Sequence, residues 1–407
     1  MTFDPFDADT VHDAWPALRS LREEAAVVSV ANGLRYVTRH AECKDTLRDT
    51  VAFSNASGFK APGVVVPVED RTLGELDPPQ HSFVRRAMVT AITPKAVRAA
   101  EGFISSTASA LLGAVPRDGG AVDLVPLYTV PLPNRVTVHL LGLPASDADM
   151  IAAWAKELME SGFPATNRSD RGEGFVNAFP EFAGYIDSQI ARRLSGEVDA
   201  DDVISRLARL EVDGSRLTLR QSRAMVRNLI TGGLTTTSQL LGNLIHQVLT
   251  VPGLETAVRA DPAVLDVAME ESLRLTPPVL LAPRGCVADV SIGGCPVHAG
   301  ERVVVGLASA NRDERVFDDP DDFRFDRPNA GDHLTFGYGP HVCPGASLAR
   351  TVTRVGVLEL LSAFPAGSLR LAPDYVRVNV PTFFESGPRT LDVVTAPAGR
   401  AARRRRR

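Results

Sequence analysis

Phe336-Gly337-Tyr338-Gly339-Pro340-His341-Val342-Cys343-Pro344-Gly345 packs three glycines and two prolines into ten residues, which dictates a tight and unusual backbone. From Pro344 onward the pattern turns helical, with Leu348, Val352, Val355, Leu358 and Leu361 on one face. Cys343 therefore stands at a helix N-terminus, where unpaired N–H groups and the positive dipole end favour a thiolate over a thiol. The glycines leave backbone N–H groups free to point at the sulfur. A thiolate so placed is a nucleophile or a metal ligand. The first reading needs a base, and His341 is two residues away. A zinc site needs further ligands, and no second cysteine lies at a metal-site spacing. An inert buried cysteine would leave the glycine framing without a reason.

The 407 residues, 44% of them apolar, suffice for a large core, and length alone admits two or three domains. Charged residues make up 23% and the net charge is -5, which gives no overall nucleic-acid footprint. Four cysteines, Cys43, Cys286, Cys295 and Cys343, argue against a disulfide framework and suit a reducing cytosol. Cys286 and Cys295 flank an expected hairpin and read as ordinary small residues. The first nine residues are acidic and lack the apolar stretch of a signal peptide. No window reaches the roughly 18 uncharged apolar residues of a membrane span, so a cytoplasmic chain is expected. The arginines Arg403 to Arg407 read as part of a solvated, disordered tail over 398–407.

Apolar and β-branched residues at 27–38, around Asn32-Gly33, predict a hairpin. Thr218 with Gln221 forms a capping box, and the helical pattern it opens runs to Thr250. Its centre, Thr231-Gly232-Gly233-Leu234-Thr235-Thr236-Thr237, is poor helix sequence, which implies that something approaches the backbone there. Asp261 and Pro262 open a second helix that ends at Leu275, before Thr276-Pro277-Pro278. Strand-like segments follow at Val279–Val287, Val290–Ile292, Arg302–Gly306 and within Leu369–Val394. The expected fold is mainly α, with small β-sheets at one side.

The decamer resembles the haem-binding loop of cytochromes P450, Phe-Gly-x-Gly-x-His-x-Cys-x-Gly, with every fixed position matched. The one departure is Pro344, where the family usually has an aliphatic residue. The resemblance extends over almost the whole chain. It implies one domain over 1–397, with the long central helix over a haem and antiparallel sheets at one side. Cys343 would ligate the iron of haem b, in a loop framed by Phe336, Gly337 and Gly345. Glu271 and Arg274 match the family's Glu-x-x-Arg helix, and Arg327 the arginine that joins that pair. Asp77-Pro78-Pro79-Gln80-His81 and Arg85, with Arg284 and His333, match contacts to the haem propionates.

The weakened helix centre resembles the family's oxygen-binding segment. Gly232 and Gly233 give it room, and Thr236 matches the alcohol that supports dioxygen. Thr235 stands where the family has an acid, and a hydroxyl is a poor proton reservoir beside a carboxylate. Water relay, a polar group on the substrate, or a slow or peroxide-driven reaction would each accommodate that change. A fourth possibility is that Thr235 only packs. The implied reaction inserts one atom of dioxygen into an apolar small molecule, by hydroxylation or epoxidation, using a separate ferredoxin and ferredoxin reductase. His341, Arg350 and Arg354 are candidates for the docking face. The substrate walls would come from the loop before Asp77, residues 161–182, Leu229–Thr236, Val279–Pro283 and Pro381–Phe384. A peroxygenase and a non-catalytic haem sensor are the competing readings.

Overall fold

The computed structural model describes residues 3–11, 14–58, 66–162 and 174–395. The arginine tail at 398–407 and most of the segment expected to wall the pocket between Ser161 and Phe175 lie outside them. Helices carry the architecture. Those that frame the site are α1 (Gln80–Ala91), α2 (Glu101–Gly113), α3 (Pro131–Leu140), α4 (Leu219–Thr250), α5 (Val264–Leu275) and α6 (Ala346–Ala363).

Helix α4 is 32 residues long, about 48 Å at the standard rise. It begins as the sequence predicts. The Thr218 hydroxyl accepts from the Gln221 N–H at 3.2 Å, and the Gln221 side chain accepts from the Thr218 N–H at 2.9 Å. Its weak centre stays helical because the hydroxyls look after themselves. Thr231, Thr235, Thr236 and Ser238 donate to carbonyls four residues back, at 3.0, 3.3, 2.7 and 2.7 Å. The small residues admit neighbours: a Cβ on Gly233 would sit 3.3 Å from the Thr137 hydroxyl of α3, and one on Gly242 2.9 Å from Pro388.

Helix α5 starts two residues later than the sequence suggested. The Asp261 side chain takes the Ala263 N–H at 2.9 Å, and Val264 bonds back to the Asp261 carbonyl, so 262–263 form a tight turn. Helix α6 likewise starts at Ala346 rather than Pro344, because the turn after Cys343 uses those residues. It lies against α2, where Ser105 and Ser109 donate to Glu359 at 2.5 and 2.8 Å. Leu112, Leu132, Leu241, Leu244 and Leu360 fill the space among α2, α3, α4 and α6.

The larger sheet has five strands, β1 (Val27–Ser29), β2 (Arg35–Val37), β3 (Phe53–Ser54), β4 (Ala282–Cys286) and β5 (Arg302–Val305), in the order β1-β2-β5-β4-β3. Its β5–β2 pair is parallel and the rest antiparallel, so this sheet is mixed. The hairpin over 27–38 turns at Asn32 and Gly33, both with positive φ. A second sheet joins Leu369–Leu371, Asp392–Thr395 and Ala121–Asp123. Among the described residues no helix is long and apolar enough to cross a membrane.

The charge cluster expected from Glu271, Arg274 and Arg327 is fully formed. Arg274 holds both oxygens of Glu271 at 2.7 and 2.8 Å, and Arg327 Nε approaches them at 2.9 and 3.0 Å. None of the three is more than 3% exposed. Carbonyls of Asn311, Pro320 and Asp322 take further donors of Arg274, which pins the irregular segment before the cysteine loop onto α5. Glu271→Ala strands two guanidiniums away from water and should lower unfolding free energy by about 3–5 kcal/mol. The urea midpoint checks this, and an unchanged midpoint would contradict it.

Candidate active site

The decamer folds into the tight loop its glycines require. Gly337 and Gly339 both have φ of 72°, and a Cβ on Gly339 would meet the Arg48 backbone at 3.0 Å. The N–H of Cys343 returns to the Phe336 carbonyl at 2.8 Å, closing the loop on the cysteine. Burial pushes the Cys343 thiol above its ordinary value, while the N–H groups of Gly345 and Ala346 and the charges of Arg85 and Arg350 pull it down. The net direction is upward, and a cation at the sulfur would oppose it.

The sulfur lies where two cavities of about 380 and 230 Å³ meet. Both are bounded by Cys343, Phe336 and His341 on one side and by Gly232 and Thr236 of α4 on the other. Leu240, Leu281, Ala282 and Phe384 make the larger one mainly apolar, and Arg227 and Asn228 add polar groups to its wall. Phe383, also expected here, is buried instead against Phe6, with ring centroids 5.0 Å apart.

One margin of this space gathers donors that lack an anion. The His81 and His341 rings lie 3.9 Å apart, and the Nε2 atom of each is buried without a hydrogen-bond partner. Burial holds both rings neutral, His81 down to about 4 and His341 to about 3, with neighbouring cations adding to the effect. Arg284 is 4% exposed, and burial lowers it to about 10. It donates to the Pro283 carbonyl at 2.8 Å, and Arg85 donates to that of Val342 at 2.8 Å, neither to a carboxylate. A flat group with two carboxylates at one edge and a metal at its centre would satisfy the orphaned donors and the sulfur together. A haem has that shape and chemistry, so the residues present fit it.

His333 is not part of this margin. Its Nε2 meets Glu270 at 3.2 Å, and its Nδ1 accepts from the Thr335 N–H at 3.2 Å, which holds the ring on α5. His341 stands at the margin in its place. His341 is a fixed position of the decamer, which is the sequence signal for it, and the structure puts it at the margin rather than in the role of a base or docking residue. Of the expected docking arginines, Arg350 holds both oxygens of Glu270 at 2.6 and 2.7 Å, and Arg354 holds Asp266 at 2.8 Å.

On α4 the two threonines part company. Thr236 faces both cavities, its hydroxyl on the Gly232 carbonyl at 2.7 Å. Thr235 turns away, and its hydroxyl meets Oε1 of Glu385 at 2.5 Å. Nothing near Thr235 in the sequence foretold Glu385, which lies 150 positions downstream among turns.

The Cytochrome P450 family model matches residues 173–370. The erythromycin C-12 hydroxylase of Saccharopolyspora erythraea is 32% identical over 351 residues, spanning 85% of this chain and 86% of the relative. This chain belongs to the cytochrome P450 family. The cyclomarin C epoxidase CymV of Salinispora arenicola is 34% identical to this P450 over 294 residues, 72% of the chain and 73% of the relative. A solved structure of a mutant of P450 EryK in complex with erythromycin B matches it with TM-score 0.86 and 30% identity, over 98% of this chain and all of that one. This P450 is a monooxygenase, and the family implies a haem, dioxygen and a redox partner.

Beside the site, the Glu270–Arg350–His333 group ties α5, α6 and the loop before the cysteine together. Burial would raise the Glu270 carboxyl, but hydrogen bonds from Arg350 and His333 outweigh it and hold the group at about 2, against an ordinary 4.5. The folded value lies below the unfolded one. This stabilisation is thus complete above about pH 4.5 and fades as pH falls toward 2. Glu270→Gln should be less stable than the parent at neutral pH, with a gap that narrows on acidification. Denaturant titrations at about pH 6 and about pH 3.5 check this, and a constant gap would contradict it.

Proposed function

We propose that this P450 hydroxylates or epoxidises an apolar small molecule in the cytoplasm, with haem b held by Cys343 and electrons drawn from a ferredoxin and its reductase. The observation that carries this reading is the Cys343 sulfur at the meeting of two cavities, facing Gly232 and Thr236 across them. Haem with an axial thiolate supplies the electron donation that favours O–O cleavage.

The chain's own residues do the rest. Cys343 holds the metal, and the closed decamer fixes the direction of its sulfur. His81, Arg85, Arg284 and His341 hold the two carboxylates. Phe336 packs beside the sulfur under the guanidinium of Arg350, which lies 4.5 Å from the ring centroid. Gly232 keeps the middle of α4 clear, and Gly233 lets that helix approach α3. Thr236 presents a hydroxyl to the space where dioxygen and substrate meet. Leu240, Leu281, Ala282 and Phe384 hold the apolar body of the substrate and exclude water. Arg227 and Asn228 of the cavity wall offer hydrogen bonds to a polar group of the substrate. The erythromycin C-12 hydroxylase and cyclomarin C epoxidase among its relatives favour a secondary metabolite as the substrate. The peroxide-driven alternative rested on a missing acid at 235, and a carboxyl group is hydrogen-bonded to that very hydroxyl.

Compounds that shift the iron spin state can be taken from a panel of macrolides and macrocyclic peptides, then turned over with ferredoxin, reductase and reductant under ¹⁸O₂. The product should carry one labelled oxygen and should vanish when the reductase is omitted. Unlabelled product, or equal yield without reductant, would contradict the reading.

A further inference from the structure

We propose that Glu385 is the acid of the proton relay in this P450, acting through the Thr235 hydroxyl from the opposite side of the helix interface. The proposal rests on the monooxygenase reading above.

The contact is built rather than incidental. The segment that bears Glu385 runs along α4 with one contact per turn. Thr235 meets Glu385 at 2.5 Å. Gln239 faces Gly387 so closely that a Cβ there would lie 2.0 Å from its side-chain oxygen. Asn243 donates to the Ser386 carbonyl at 3.2 Å, and Gly242 takes Pro388 against its backbone. The other side of the segment is also tied. Ser386 donates to the Pro278 carbonyl at 3.0 Å, Val279 pairs with Glu385 in a β-bridge, and the Glu385 N–H meets the Thr382 hydroxyl at 3.0 Å. Glu385 is 4% exposed. A carboxyl group held this firmly behind a reaction space is placed for chemistry.

The hydrogen count shows what the pair does. The Thr235 hydroxyl owns one proton and has two acceptors, Glu385 Oε1 at 2.5 Å and the Thr231 carbonyl at 3.3 Å. With Glu385 ionised, Thr235 donates to it. With Glu385 protonated, Glu385 donates to the Thr235 oxygen and the threonine proton turns to the Thr231 side. The heavy atoms stay where they are. Thr231 and Phe384 line the larger cavity, and Thr236 borders both, so the pair stands directly behind the wall. In one inward pass the O–H bond of Glu385 breaks and a new one forms on Thr235, while the threonine's original O–H bond breaks as a water at the Thr231 side of the cavity wall takes that proton. The carboxylate left behind regains a proton from solvent. One proton moves inward per pass, and two passes supply the two that accompany two electrons when O₂ becomes one inserted oxygen and one water. The acid that the family carries at position 235 has thus moved one layer back, with a hydroxyl as its relay.

The test compares wild type, Glu385→Gln, Glu385→Asp and Thr235→Val as full-length holoprotein. All four should show the same ferrous carbonyl spectrum and the same substrate-induced spin shift. Glu385→Gln should form product about 100-fold more slowly and release peroxide instead, with Glu385→Asp recovering most of the loss. In the resting protein, the infrared carboxyl band that disappears in Glu385→Gln should shift in Thr235→Val. Unchanged product yield per reductant in Glu385→Gln, or a band indifferent to Thr235→Val, would overturn the proposal. Should wild type itself make no reductant-dependent product, the monooxygenase reading would fail instead. If Glu385→Gln does not fold, the carboxyl band is identified by its shift in Glu385→Asp, and an unchanged band or an unchanged product yield per reductant in Thr235→Val would overturn the proposal.

Discussion

Charge on the Cys343 sulfur is the constraint that the rest of the molecule serves. In the half-buried wall of two cavities, desolvation raises the thiol above its ordinary value, while the Gly345 and Ala346 N–H groups and the Arg85 and Arg350 charges oppose that rise. In the proposed reading a metal cation at the sulfur would stabilise the thiolate, and the thiolate would in turn hold the metal. That mutual dependence explains the loop. Glycines with positive φ bring backbone close to the sulfur, the Cys343 N–H locks onto Phe336, and α6 runs away from the site toward α2. Across the gap, α4 has glycines and self-bonded threonines where any larger side chain would fill the space.

A second principle is the sorting of charge. The Glu271 cluster and the Glu270 cluster pair every cation with a carboxylate and bind the chain around the site. At the cavity margin the pattern inverts. Arg284 is buried with its printed hydrogen bond to a carbonyl, and the Nε2 atoms of His81 and His341 are buried with no hydrogen-bond partner. Paired charge marks structure here, and unpaired donors mark the place of a ligand.

Much of this was legible in the sequence because its signals are local. The capping box at Thr218, the glycine-framed cysteine, the Glu271–Arg274 spacing and the hairpin at Asn32-Gly33 each depend on residues within one or two turns. What escaped was non-local. The side chain of His333 was drawn onto α5 by Glu270, a choice made by packing. Glu385 reaches Thr235 only because a C-terminal segment lies along α4, in register set by Gln239 and Asn243. An acid missing at position 235 of the chain meets that position from across the helix interface instead.

The most direct measurement is the absorption spectrum of the reduced, carbon monoxide-treated holoprotein, compared between wild type and Cys343→Ser. A strongly red-shifted Soret band in wild type that is lost in the variant is the predicted result. Haem-free wild-type protein, or a band that survives removal of the sulfur, would contradict the account.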